Sequence, residues 1–194
     1  GGTAHVVHAA GLDDAADPTL LDVDDPTAPQ LDRGEGVCRR PDGLVEAQIG
    51  ADRALQLGVP HEVAVTGRVP RLDMKRLTSD LARVCEAQIR LFEPRTRKAP
   101  FARYTFMTLA VGDGYGGLEH RNSTALICKR DDLPFVGLKD ATEGYRNFLG
   151  LASHEYFHSW NVKRIRPAAF VPYDLTHENH TRLLWAFEGF TSYY

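Results

Sequence analysis

The chain has 194 residues, of which 43% are hydrophobic and 25% charged, values that exclude a disordered polymer, a collagen and a disulfide-dense miniprotein. The 23 basic and 26 acidic residues give a net charge of −3, so no electrostatic argument favours nucleic acid as a partner. No apolar run reaches the roughly 18 residues that span a bilayer, and no membrane segment is predicted. The widely spaced Cys38, Cys85 and Cys128 predict reduced, buried thiols, which lean weakly toward a cytoplasmic location.

Four elements are predicted between residues 61 and 129. The valine-rich alternation over residues 61–67 predicts a strand. Apolar residues spaced three and four apart over residues 73–92 predict an amphipathic helix. Residues 101–111 are rich in aromatic and β-branched side chains, which favours a buried strand. A glycine-rich turn should follow, and then a second strand at residues 123–129.

Two helices are predicted in the last third of the chain. The first should run from Thr142 or Glu143 to about Trp160, and the second should begin near Asn179. The side chains expected along one side of the first helix are Tyr145, Phe148, Ala152 and Ser159. The apolar pattern continues to the last residue, and the first sixty residues are acidic and rich in proline and glycine. Both features predict a piece of a longer protein, cut at both ends.

The first of these helices contains His-Glu-Tyr-Phe-His at residues 154–158, an H-E-x-x-H motif. Histidines four residues apart lie one turn apart on the same helix face, so His154 and His158 can bind one metal ion, and their spacing suits zinc. Glu155 would then project beside the ion, where a carboxylate can accept a proton from activated water as a general base. The alternative without a metal is a pair of exposed histidines beside an ordinary glutamate.

A catalytic zinc needs a third protein ligand and one open position. Glu188 is the candidate, if the second helix packs antiparallel to the first. The residues expected to carry most of that packing are Leu183, Leu184, Trp185 and Phe187. A carboxylate among such apolar neighbours is costly to bury without a partner, which favours the ligand role. His177 and His180 are rival third ligands.

Residues 116–120, Gly-Gly-Leu-Glu-His, are a candidate substrate-binding segment. Glycine lets a substrate backbone approach closely, so the N–H groups of Gly116 and Gly117 are candidates to bind substrate carbonyls. Glu119 could pair with the free ammonium terminus of a peptide, which would bring the first peptide bond to the metal. His120 completes the candidate segment. The alternative is a turn between two strands with an ordinary surface glutamate.

Three separated segments, GYGGLEHRNST, HEYFHSWNVKRIRP and LLWAFEGFTSYY, together resemble the glycyl aminopeptidase family. Its members are gluzincin metallopeptidases of thermolysin-like fold, usually with a carboxyl-terminal PDZ domain. The resemblance implies Zn²⁺ held by His154, His158 and Glu188, with Glu155 as the general base and Glu119 in the motif that recognises the α-amine. It also implies an aminopeptidase that acts on peptides with a free N-terminus and a small first residue, glycine or alanine.

The fold class implied is α+β. Residues 1–70 would be the end of a β-rich N-terminal domain, and residues 71–194 the first part of a thermolysin-like peptidase domain with a mixed sheet and zinc-binding helices. The larger relatives have asparagine where this chain has His120. The tyrosine that steadies the tetrahedral intermediate in related gluzincins is expected beyond Tyr194, so this piece alone could be inactive.

Two other functions stay open. One is a zinc endopeptidase of the same fold, in which residues 116–120 only line the edge strand. The other is a catalytically silent module that binds peptides and zinc without turnover. The basic cluster from Lys163 to Pro167 is expected to be a solvated turn, with a contribution to the substrate cleft as the alternative.

Overall fold

The computed structural model of the protein describes residues 36–39, 46–50 and 58–194. Six strands and three α-helices lie in these ranges. The strands are β1 (Gly36–Arg39), β2 (Glu46–Gly50), β3 (His61–Thr66), β4 (Tyr104–Val111), β5 (Gly116–Glu119) and β6 (Ser123–Lys129). The helices are α1 (Met74–Phe92), α2 (Glu143–Phe157) and α3 (Leu184–Tyr193). The acidic N-terminal segment and the side chain of Cys38 lie outside the described residues.

The strands form one mixed sheet in the order β1-β2-β3-β4-β6-β5, which confirms the predicted α+β class. β3, β4 and β6 are parallel, whereas β1, β2 and β5 each run antiparallel to their neighbours. Among the described strands, β5 lies at the end of this order and is an edge strand. The sheet includes strands from both sides of the predicted domain boundary at residue 70, and the division into two domains stays a prediction.

The core lies between one face of the sheet and helices α1 and α2. Asp73 caps α1 by accepting a hydrogen bond from the N–H of Arg76 at 3.0 Å, which satisfies one of the free donors at the helix start. The strands β3, β4 and β6 alternate buried and less buried residues, as the two-residue period of a strand requires. The buried side chains of α1 and β4 include Leu77, Leu81, Ile89, Tyr104 and Phe106.

The three predicted strands and the first predicted helix are confirmed, with small shifts at their ends. The glycine-rich segment is not a turn throughout, because Gly116–Glu119 pairs with β6 as strand β5. The predicted end of α2 at Trp160 is wrong. The helix ends at Phe157, and the N–H groups of Ser159 and Trp160 bond to carbonyls only three residues back.

The predicted start of the last helix near Asn179 is also wrong, because α3 begins five residues later, at Leu184. The Asn179 side chain instead closes a loop onto Asp174: its Oδ1 accepts from the Asp174 N–H at 2.9 Å and its Nδ2 donates to the Asp174 carbonyl at 2.7 Å. Asparagine side chains compete with helix formation in this way.

Cys85 and Cys128 are buried and free, in agreement with the prediction of reduced thiols. Within the described ranges, no helix has the length and apolar character needed to cross a bilayer.

Candidate active site

Helix α2 holds the H-E-x-x-H motif on a rigid base. Thr142 caps its start by accepting from the N–H of Tyr145 at 3.0 Å, and its apolar side packs into the core. Tyr156, inside the motif, points to the core and its hydroxyl donates to Nε2 of His61 on β3 at 2.8 Å. The Nδ1–H of His61 donates to the Val59 carbonyl at 3.0 Å. The motif is therefore tied to the sheet on the side opposite its candidate ligands.

Three candidate ligand atoms converge between α2 and α3. Nε2 of His154 lies 3.1 Å from Nε2 of His158. Oε2 of Glu188 lies 3.2 Å from the first nitrogen and 3.6 Å from the second. Within the described part of the chain, His154, His158 and Glu188 are the group of side chains that could hold a metal ion.

The outer nitrogens of both histidines face oxygen atoms. Nδ1 of His158 lies 2.8 Å from the carbonyl oxygen of Asn161, which can only accept, so this nitrogen carries the proton. In the neutral ring the lone pair of His158 is then on Nε2, directed toward Glu188. Nδ1 of His154 faces the Ser192 hydroxyl at 3.4 Å, and this hydroxyl can either donate or accept. Such outer partners commonly fix the tautomer of a metal-binding histidine.

The donor set fits a zinc ion. Ligand atoms about 2.1 Å from a tetrahedral zinc lie roughly 3.4 Å from one another, close to the three distances between the Nε2 and Oε2 atoms. Two neutral imidazoles and one carboxylate leave a fourth position for water, as in catalytic sites. Zinc is therefore the expected metal. The roles of His154, His158 and Glu188 as its ligands stay predictions.

The charges around Glu188 favour its ionised form. Burial alone would raise the pKa of its carboxyl, but His154 and His158 outweigh burial and hold the pKa far below the usual range. Burial lowers the pKa of His158, whereas Glu188 and the Asn161 carbonyl raise it to a net value above the ordinary one. The surroundings of Glu188 between α2 and α3 therefore stabilise a positive charge.

Glu155 is only 3% exposed and lies against strand β5. A Cβ atom on Gly117 would collide with its carboxyl group, so glycine at this position is required for the observed approach of strand and helix. Burial raises the pKa of Glu155 to about 7; His154 and His158 lower it, while Glu119 and Glu188 add to the rise. A carboxyl group that titrates near neutrality suits a general base.

Glu119, at the end of β5, forms an ion pair with Lys163: Nζ lies 3.2 Å from Oε1. Burial would raise the pKa of Glu119, but Lys163 and His158 lower it to a net value below the usual range. The basic cluster is a turn in which Arg164 and Ile165 are exposed, as predicted, but the side chain of Lys163 is only 27% exposed. Lys163 faces the candidate site, and the Arg164 guanidinium donates to the carbonyls of Pro100 at 3.0 Å and Arg121 at 3.3 Å.

The carboxyl-terminal part of this site matches a known family. The family model of the M61 glycyl aminopeptidases matches residues 147–194, which contain the H-E-x-x-H motif and Glu188. Among solved structures, 31 chains match. A crystal structure of an aminopeptidase N family protein from Idiomarina loihiensis is 49% identical, with a TM-score of 0.70. The resemblance to the glycyl aminopeptidases is confirmed.

That match covers 76% of this chain and 24% of the Idiomarina loihiensis chain, so this chain spans about a quarter of its relative's length. No curated protein matches the chain. The gluzincin and PDZ features of the glycyl aminopeptidases stay predictions for this protein.

The remaining predicted residues lie outside the group of three candidate ligands. Gly116 is in β5, and the space around it is open. His120 follows β5 in an exposed turn, where its N–H donates to the Ser123 carbonyl at 2.9 Å. His177 and His180, the rival third ligands, are exposed and pair with Asp174 and Glu178 instead.

The predicted packing of α3 is wrong for three of its four residues. Phe187 is buried, whereas the side chains of Leu183, Leu184 and Trp185 are largely exposed. Buried Asn161 supplies a further contact, since its Nδ2 donates at 3.2 Å to the Phe187 carbonyl and lies 3.2 Å from the Thr191 hydroxyl.

Sequence reasoning missed Asn161 and Ser192 as residues of the site, and it named Lys163 only through the alternative role of the basic cluster in the substrate cleft. Asn161 and Ser192 were within reach of a spacing argument. Asn161 follows the second histidine by three residues, and Ser192 follows Glu188 by one helical turn. Lys163 left no such signal, because its contact with Glu119 joins distant parts of the chain.

Proposed function

We propose that the protein is a zinc-dependent aminopeptidase that hydrolyses the first peptide bond of peptides with a small N-terminal residue, glycine or alanine. The observation that carries the proposal is the convergence of His154, His158 and Glu188 at distances suited to zinc, with Glu155 buried beside them. The resemblance to the M61 glycyl aminopeptidases supports the substrate class.

The residues have separate tasks in this mechanism. A zinc ion held by His154, His158 and Glu188 would supply a Lewis acid that polarises a carbonyl and lowers the pKa of water. Glu155 accepts a proton from the attacking water and passes it to the leaving amine. Glu119 binds the terminal ammonium, which brings the first peptide bond, and no later one, to the metal.

Edge strand β5 offers a place for the peptide backbone. Because β6 occupies one side of β5, an extended peptide could pair along the other side, as in other complexes that add a strand to a sheet edge. Gly116 and Gly117 would let the substrate approach closely, and the N–H groups on the free side of β5 would bind its carbonyls.

Elemental analysis of the dialysed protein is the first test, with Glu188→Ala compared against Glu178→Ala. Glu178 is an exposed glutamate ten residues earlier, paired with His180. We expect about one zinc per chain in the wild type and in Glu178→Ala, and a large loss in Glu188→Ala. Full zinc in Glu188→Ala would exclude Glu188 as a ligand.

A substrate panel is the second test, and it addresses the endopeptidase alternative. That alternative is favoured by one observation, the pairing of Glu119 with Lys163, which a purely structural glutamate would also show. Glycyl, alanyl and leucyl arylamides should be cleaved in preference to their N-acetylated forms. Equal cleavage of the acetylated forms would contradict the aminopeptidase assignment, since Glu119 would have no ammonium to bind.

Glu155→Gln distinguishes an enzyme from a silent peptide-binding module. The amide keeps the size of the side chain but cannot act as a base, so we expect zinc binding to persist while turnover falls by roughly 100-fold or more. Unchanged background hydrolysis in this variant would favour the module.

A further inference from the structure

Glu119 already has an ammonium partner within the chain. Nζ of Lys163 lies 3.2 Å from its Oε1, and the two side chains are 27% and 13% exposed. Because both groups are largely removed from water, solvent screens their interaction weakly. A primary ammonium of the protein thus lies on the carboxylate that the proposed function assigns to the ammonium of the substrate.

The backbone of Lys163 is held in place by several hydrogen bonds. Its N–H donates to the carbonyl of His158 at 3.1 Å, and its own carbonyl accepts from Nε of Arg166 at 3.1 Å. The neighbouring Arg164 fixes the loop to Pro100 and Arg121. The flexible four-carbon side chain of lysine can nevertheless move its ammonium away while the loop stays fixed.

The lysine ammonium and a peptide's ammonium terminus present the same chemistry, a compact cation with three N–H donors and no acceptor. A carboxylate has lone pairs enough to accept from both, but two like charges beside one carboxylate in a poorly screened cleft repel each other. A peptide's terminal ammonium must therefore displace Nζ of Lys163 or bind beside it against that repulsion. A peptide with an acetylated terminus carries no such charge.

We propose that Lys163 is a specificity-determining residue whose ammonium occupies the α-amine subsite of the free protein and competes with the substrate's ammonium. The inference rests on the proposed function and adds a competitor supplied by the chain itself. A buried carboxylate without a partner is strongly destabilising, so Lys163 stabilises Glu119 in the absence of substrate. Because it competes for the same carboxylate, Lys163 weakens the binding of free amino termini.

The test compares the steady-state kinetics of wild type and Lys163→Met in the zinc-loaded, full-length protein, with glycyl-p-nitroanilide and its N-acetylated form. Methionine keeps an unbranched stem of similar length and removes the charge. We expect the KM of the free amine to fall by roughly three- to tenfold, with kcat changed less than about twofold. The kinetics of the acetylated compound should not change.

Two further variants isolate the effect of the charge at this place. Lys129→Met removes a lysine from an exposed ion pair with Asp113, whose N–O distance is 3.0 Å, and should leave KM unchanged. Lys163→Arg keeps the cation and should retain the wild-type KM within about threefold. If Lys163→Met does not fold, Lys163→Gln takes its place with the same expectation.

The outcomes separate this inference from the proposed function. If the wild type prefers the free amine and Lys163→Met leaves KM unchanged or raises it, the inference is wrong and the aminopeptidase stands. An equal fall of KM in Lys129→Met would also overturn it, because the effect would then be one of net charge. If the wild type cleaves both compounds equally, or neither, the proposed function fails and the inference falls with it.

Discussion

The two helices that carry the candidate ligands differ in how they are held. α2 buries seven of its residues, whereas α3 buries Phe187 and Thr191 alone. Core packing and the bond from Tyr156 to His61 position α2, while Asn161 holds α3 through two contacts. Two candidate ligands therefore lie on a rigid part of the fold, and the third candidate lies on a helix attached by few contacts.

This difference indicates which candidate ligands keep a fixed geometry before a metal binds. Side chains on a packed helix keep their geometry because neighbouring residues fix their rotamers, and a helix with few buried contacts opens more easily. A bound metal would itself link α3 to α2 through Glu188.

Truncation of the core side of α2 should have the largest effect. Phe148 is 1% exposed, and Phe148→Ala should lower the free energy of unfolding by about 3–5 kcal/mol, because it leaves a cavity in the core. On α3, Trp185 is 69% exposed, and Trp185→Ala should change stability by less than about 0.5 kcal/mol. Urea denaturation of the chain measures both values. Similar losses in the two variants would show that the helices are held alike.

Gly117→Ala tests the contact between β5 and Glu155, the proposed general base on α2. The added Cβ would meet the Glu155 carboxyl group, whereas a Cβ on Gly116 would meet nothing within 4 Å. We expect Gly117→Ala to lower kcat/KM by about 100-fold, since displacing a catalytic group by an ångström costs that much. Gly116→Ala should retain most of the activity. If the two variants behave alike, Glu155 does not depend on the glycine.

Asn161→Ala tests the attachment of α3. Loss of the contacts to the Phe187 carbonyl and the Thr191 hydroxyl should loosen α3, which carries Glu188, and weaken zinc binding by roughly tenfold, while the Asn161 carbonyl stays on His158. Gln88→Ala is the matched control, because this buried amide holds α1 to α2 by bonds of 2.8 Å to the Ser153 carbonyl and hydroxyl. It should reduce stability and leave zinc affinity unchanged in a competition titration with a chelator. Equal loss of affinity in both variants would mean that the effect is general destabilisation.

The pH dependence of stability should reflect His61, the sheet partner of α2. Burial lowers its pKa below the ordinary 6.5, although its bond to Val59 acts in the opposite direction. The unfolded chain therefore binds a proton at a higher pH than the folded chain does. The stabilising contribution is complete above pH 6.5 and is lost as the pH falls below that value toward the folded-state pKa.

His61→Gln removes this titration while its amide can still donate to Val59 and accept from Tyr156. We expect unfolding free energies measured between pH 7 and pH 5 to fall less steeply in the variant than in the wild type. Parallel curves would show that other groups cause the decline.

Local sequence patterns determined much of the fold. Valine alternation predicted β3, and the three-and-four spacing of apolar residues predicted α1. The H-E-x-x-H motif placed His154 and Glu155 on one helix, with His158 at the cap that ends it. These features depend on residues a few positions apart, whose relative geometry the strand or helix itself fixes. The position of Glu188 on a second predicted helix made it the candidate third ligand, and the resemblance of residues 112–194 to a peptidase family implied the same role.

Tertiary structure decided what depends on contacts between distant segments. β5 is a strand because β6 pairs with it, and Gly117 is required because Glu155 lies against it. Lys163 reaches Glu119 across the cleft, and Asn161 holds α3. The same composition could have given a glycine-rich turn without strand β5, and a basic turn without the pairing of Lys163 and Glu119. Sequence alone could not choose, because the free energy that decides between these structures comes from pairing and burial against residues far away in the chain.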